Sequence, residues 1–202
     1  MDTEGRLQRY RDADRWPTEE ALAAMLDAKP DAVFVGASGT PAAMPQITLR
    51  ERGFKGRIYQ SHGVTSKEFL RVGGKNVEGA LIPVGPVLVA EQLPDSHPAK
   101  KNAVAFVHTL EAKYGPDSRS TFAGATWDAW LLLQNAIATA QKGKAKAGTP
   151  EFRAALRDGL EKTNKLVGTN GVYTMSAGDH AGYDASAIVL IKVENNHWKL
   201  VK

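Results

Sequence analysis

Between Lys29 and Gly63 the apolar residues fall first into a solid run and then into a spaced one. Ala32-Val33-Phe34-Val35 is apolar throughout. That predicts a short strand covered on both faces, because a half-exposed strand alternates. The small-residue corner Gly36-Ala37-Ser38-Gly39-Thr40 follows. Pro41 and Pro45 predict a delayed or kinked helix start, with a cleaner helix from Pro45 to Arg52 that carries Ile47 and Leu49. Gly53 stops it. Arg57-Ile58-Tyr59 is the next strand, and it ends at Ser61-His62-Gly63. Strand, crossover helix and strand make the unit of a parallel α/β sheet. Ligands of open parallel sheets bind beyond the carboxyl ends of the strands. The first places to seek a site are therefore Ser38 to Thr40 and Ser61 to Gly63.

The pattern continues on both sides of this unit. Upstream, a helix is predicted to begin at Pro17 or Thr18 and to bury Leu22, Met25 and Leu26. Downstream, a short helix from Ser66 to Arg71 takes Thr65 or Ser66 as its cap and docks through Phe69 and Leu70. A strand lies around Ala80-Leu81-Ile82, Gly85-Pro86 breaks it, and Val87 to Ala90 reads as extended. Ala103, Phe106, Val107, Leu110 and Tyr114 mark an amphipathic helix over 99–114, with Ser96 as its cap and Gly115-Pro116 as its stop. A helix from Phe122 to Gln141 carries Trp127, Trp130, Leu131, Leu132, Leu133 and Ile137, and reads as central and well buried. Burying four groups of that size contributes roughly 6–12 kcal/mol by transfer alone. Thr149-Pro150 opens a helix to Lys162. A short extended piece follows at Val172-Tyr173. The chain closes with a hairpin, Ala187 to Val193 and Trp198 to Val201, turning at Glu194-Asn195-Asn196. The order is α/β, then consecutive helices, then late strands, and the sheet looks short of members.

Composition narrows the classes. The chain has 202 residues, 43% apolar and 24% charged, within the range of ordinary soluble domains. The net charge is +4, but the lysines are dispersed and no aromatics alternate with them, which points away from a nucleic-acid groove. There is no apolar run of membrane-spanning length. Cysteine is absent, which removes disulfides, thiolate metal sites and cysteine catalysis. Met1 to Gly5 lacks the basic and apolar regions of a secretion signal.

The candidate chemistry follows from the two corners. The hydroxyls and amides of Ser38, Gly39 and Thr40 can hold a carboxylate or phosphate. An ordinary cap and turn would use the same residues. The glycines fit neither G-x-G-x-x-G nor a phosphate loop. His62, with Gly63 beside it, can donate a hydrogen bond to an anion, and no nucleophile or acid is spaced as its catalytic partner. His97, His108, His180 and His197 are too scattered for a metal site. Phe122, at a helix start, can stack on an apolar ligand. The acids Asp117, Asp128, Glu151 and Asp158 show no paired spacing for acid–base work.

The segments PDAVFVGASGTPAA, GFKGRIYQSHG, EGALIPVGPVLVAEQLPDSHPAKK, STFAGATWDAWLLLQNAI and GTPEFRAALRDGLE, in this order, resemble the carboxyl-terminal half of a type I periplasmic solute-binding protein of the branched-chain amino-acid (Leu/Ile/Val) ABC transporter family. The similarity runs from about Trp16 to Lys202. It implies an α/β fold of the periplasmic-binding-protein type I, a partial two-lobe Rossmann-like sandwich. Residues 1–86 and 184–202 would belong to the second lobe, and 87–183 to the later, mainly helical part of the first. It implies a receptor without a chemical step, cofactor or metal, which binds a branched-chain amino acid, amide or aromatic acid between the lobes and delivers it to an ABC permease. The ligand contacts would be Ser38, Gly39, Thr40, His62, Gly63 and Phe122. Leu/Ile/Val binders carry a glutamate at the position of His62 and a tyrosine at that of Ser38. Both differ here, and an imidazole cannot pair with an ammonium as a carboxylate does. The resemblance further implies a periplasmic protein whose secretion signal and first-lobe sheet lie in a missing amino-terminal part. The remaining fragment would self-associate or hold on to that part. A cytoplasmic amide or amino-acid sensor of the same fold is the alternative.

Overall fold

The computed structural model describes residues 19–201. The predicted helix start at Pro17 or Thr18 lies outside them. Helix α1 (Glu19–Asp27) leads into strand β1 (Ala32–Val35), helix α2 (Ala43–Glu51) and strand β2 (Arg57–Gln60). Helix α3 (Lys67–Gly73) and strand β3 (Leu81–Val84) complete three parallel strands. Much later in the chain, β6 (Val189–Glu194) pairs antiparallel with β3, and β7 (His197–Leu200) pairs with β6. The sheet order is β1-β2-β3-β6-β7. The β6–β7 turn uses Asn195 and Asn196, both at positive φ, as a tight two-residue hairpin requires.

The helices α1, α2 and α3 cover one face of this sheet. Leu22, Leu49 and Phe54 pack on Val33, Val35 and Ile58. Phe69 and Leu70 pack with Ile82, Val84, Ile191 and Val193, and Phe69 stacks on Trp198 at 6.4 Å. The other face differs from the expectation for β1. Exposed and buried residues alternate there, Phe34 is 67% exposed, and Ala32 is exposed as well. The register sets Phe34 beside Tyr59 and Tyr59 beside Leu81, so one apolar row crosses three strands on a face that no described helix covers. Pro83 and Leu190 extend it. The solid apolar run of β1 suits a two-sided sheet, but the described residues supply only one layer of helices on it.

After β3 the chain does not stay extended. Pro86–Gln92 coils into buried 3-10 turns, kinked at Val89. Val87 and Ala90 pack on Ala103 and Val107 of α4 (Lys100–Tyr114). Ser96 does not cap α4. The His97 ring Nδ1 accepts from the Ala99 N–H at 3.2 Å instead. Tyr114 points into solvent. Helix α5 (Thr121–Ala140) packs along α6 (Pro150–Glu161), where Gly159 lets the backbones approach at Ala136. The caps of α3 and α6 are Ser66 and Thr149, both as expected. Helix α5 is less buried than its sequence suggests, with Trp127 and Trp130 both substantially exposed. A small hairpin of β4 (Leu166–Val167) and β5 (Val172–Tyr173) follows α6.

Candidate functional site

The corner after β1 and the corner after β2 lie against each other. The Gly39 N–H donates to the Gly63 carbonyl at 2.9 Å. The Ser61 hydroxyl donates to the Ala37 carbonyl and accepts from the Gly63 N–H at 3.2 Å. Gly63 has to be glycine here, because a Cβ on it would lie 2.7 Å from the Cβ of Ser38. Gly39 has φ of 68°, a conformation that side-chain-bearing residues rarely adopt. The glycines therefore close the two loops on each other, and the side chains of Ser38, Thr40 and His62 stand around the junction.

Phe122 joins them from the opposite side. It occupies the first turn of α5, where the Ser120 hydroxyl caps the helix by accepting from the Ala123 N–H at 3.0 Å. Its ring meets that of His62 at 5.9 Å between centroids, tilted by 44°. The six residues named from sequence thus come from three separate stretches to one place. Among the described residues, the Ser38 and Thr40 hydroxyls and the His62 ring nitrogens have no hydrogen-bond partner, and no salt bridge to an acid reaches His62. The corner offers hydroxyls, an imidazole and an aromatic face. A surface groove lined by Asp95, His97, Lys100 and Val104 lies elsewhere, at the start of α4. Among the described residues, no three His, Asp or Glu side chains gather as metal ligands.

Two buried polar clusters lie apart from these six residues, and the sequence pattern does not reveal the partners in either. Gln60, fully buried at the end of β2, donates to Gln46 Oε1 at 3.0 Å and to the Ala42 carbonyl at 3.4 Å. Gln46 in turn donates to the Asn76 carbonyl at 2.9 Å. The pair ties β2 to the 3-10 turn Thr40–Ala42. Asp128, in the middle of α5, is buried and accepts from the Thr169 N–H at 2.6 Å, the Asn170 N–H at 2.9 Å and the Tyr173 hydroxyl at 2.7 Å. Burial, and then the Asp128 carboxylate beside it, push the Tyr173 phenol well above the ordinary tyrosine range.

A model of the periplasmic binding protein family matches residues 18–196. The chain belongs to the periplasmic binding protein family. An extracellular ligand-binding receptor from Rhodopseudomonas palustris is 45% identical, with a TM-score of 0.84 over 90% of this chain and 50% of that one. A second receptor, from R. palustris HaA2, is 43% identical, with a TM-score of 0.85 over 91% of this chain and 51% of that one. A protein of R. palustris strain CGA009 is 41% identical, with a TM-score of 0.87 over 94% and 53%. The chain spans about half the length of these structures. No curated protein matches it. The family is one of non-catalytic solute-binding proteins.

Proposed function

We propose that the chain supplies the carboxyl-terminal half of a periplasmic solute receptor and that Ser38, Gly39, Thr40, His62, Gly63 and Phe122 form its share of the ligand cleft. In this reading residues 1–86 and 184–202 make one lobe and 87–183 the later part of the other. Closure of the two on a small organic ligand is the functional event, and the closed form docks on an ABC permease. The observation that carries the reading is the convergence of Ser38, His62 and Phe122, from three separate stretches, with the His62 and Phe122 rings 5.9 Å apart.

The corner's chemistry favours one ligand class over another. An ammonium group needs an acceptor with charge, and the corner presents hydroxyls, amides and an imidazole instead. A carboxylic acid or amide with an apolar or aromatic body suits it better than an amino acid. The ligand's acidic or amide end would take hydrogen bonds from Ser38, Thr40 and His62, with its body against Phe122.

The partner in this reading is the remaining half of the fold, which the Rhodopseudomonas receptors carry in one chain. It would cover the apolar row Phe34–Tyr59–Leu81 and the exposed side of α5. Calorimetry on the two halves together, titrated with benzoate, isobutyramide and L-leucine, tests the ligand class. The acid or the amide binds and L-leucine does not. His62→Ala weakens binding about tenfold or more, because a hydrogen bond involving a charged group is worth about 1.5–3 kcal/mol. Unchanged affinity in His62→Ala removes the residue from the site, and preference for L-leucine overturns the ligand class.

A further inference from the structure

His62 is exposed and Phe122 is 54% exposed, so contact between the two rings does not by itself hold them in place. What lies behind them does. Thr65 is 2% exposed, Thr121 is 6% exposed, and their hydroxyl oxygens are 3.0 Å apart. Chemistry fixes the direction of each bond. The Thr65 hydroxyl is 2.9 Å from the His62 carbonyl oxygen, which can only accept, so the single Thr65 proton goes there. The Thr121 hydroxyl then donates to the Thr65 oxygen. The result is a relay from Thr121 through Thr65 to the His62 backbone, whose first bond joins residues 56 apart in sequence. One end is the neighbour of Phe122 in the first turn of α5, and the other is His62 itself. Among the described residues, no other side-chain hydrogen bond links 62–65 to 120–123.

Helix α5 is held a second time, about two turns on, by Asp128 and the buried loop 168–171. The first turns of α5 are tied there as well at Gly124, whose carbonyl accepts from the Thr169 hydroxyl at 3.2 Å. The threonine relay is the side-chain link from the helix start to the β2 corner. Valine at either position would keep the volume but lose the bond. At 121 it would set a methyl against the Thr65 oxygen, and at 65 it would remove the hydroxyl donor from the His62 carbonyl.

We propose that Thr65 and Thr121 are positioning residues that set the separation and tilt of His62 and Phe122, and with them the width of the ligand corner. The proposal rests on reading that corner as the ligand half-site, but its test needs no ligand. The chain, labelled at its histidine rings, is followed by NMR. His62→Gln assigns the His62 signal, and Phe122→Leu marks where it moves when the ring current is lost. Thr65→Val and Thr121→Val each shift the His62 signal most of the way to the Phe122→Leu position. Thr121→Ser leaves it at the wild-type position, and Phe122→Leu combined with Thr121→Val moves it no further than Phe122→Leu alone. A His62 signal that stays at its wild-type position in both valine variants, with the other histidines unchanged, overturns the proposal. If valine at 121 unfolds the chain, seen as collapse of all the histidine signals, Thr121→Ala carries the same two outcomes. Failure of ligand binding in calorimetry does not bear on this result, and a negative result here leaves the binding reading standing.

Discussion

Asp128 is the residue on which most of the buried polarity of α5 converges. Its carboxylate takes three hydrogen bonds, and Gly168 makes room for it, since a Cβ there would lie 2.6 Å from the carboxyl carbon. Asp128→Ala leaves two backbone N–H groups and a phenol buried without an acceptor. Each such loss costs about 1–3 kcal/mol, so the variant should be destabilised by about 3 kcal/mol or more in urea melts. Loss below 1 kcal/mol contradicts this account. Asp128 was within reach of a reading from sequence. It is a lone carboxylate between Trp127 and Trp130, and a charge in an apolar helix is either exposed or paired. Its partners were not legible, because they lie 41–45 residues away in a loop with no regular pattern. Gln46 and Gln60 were hidden for a similar reason. Glutamine is ordinarily a surface residue, and only the sheet register turns Gln60 inward beside Ile58 and Val35. By contrast, the places of Ser38 and His62 beyond strand ends and of Phe122 at a helix start were legible, because strand ends and helix starts are local features.

At the scale of elements, strands and caps were more legible than burial. The limits of β1, the Ser66 and Thr149 caps and the stop at Gly115 follow from local chemistry, and the structure has them. Val87 to Ala90 reads as extended in sequence because its valines have high strand preference. Packing of Val87 and Ala90 on α4 coils it instead. The end of that segment is fixed by charge. Arg119 holds Glu91 through two bonds of 2.7 Å and Glu111 through bonds of 2.8 and 3.1 Å, joining the segment 86–92 to α4 and to the loop before α5. The hydrogen bonds to Arg119 hold the Glu91 carboxyl below its usual range. A carboxyl depressed in the fold stabilises it above the unfolded value, and this is lost as pH falls through the folded one. Thermal melts should therefore show a smaller loss of stability between neutral and acid pH for Glu91→Gln than for the wild type. Equal losses would show that the pair does not contribute. The effect is modest, because Glu91 is partly exposed and solvent screens it.

At the scale of the molecule, two apolar faces are exposed among the described residues. Among the described residues the sheet has helices on one side only, and α5 turns Trp127, Trp130 and Leu133 to solvent. Contiguous apolar surface of this kind is uncommon on a free monomer. The relatives at 41–45% identity are about twice as long, which leads us to assign both faces to the remaining half of the fold. Sedimentation should find the chain alone self-associated, and the amino-terminal half of the R. palustris receptor should convert it to a one-to-one complex. A stable, compact monomer that ignores that half contradicts the assignment. Sequence alone made the short sheet visible. It did not reveal which face was open, because a continuous apolar strand has no polar side to mark it.

In the proposed function the corner of Ser38, His62 and Phe122 holds a small organic ligand. Native mass spectrometry of the two-half complex, as purified and beside a denatured control, tests it most directly. The account predicts a retained small molecule in the mass range of an organic acid or amide, lost in His62→Ala and in Phe122→Ala. A ligand retained equally by both variants would place the binding site elsewhere and contradict the account.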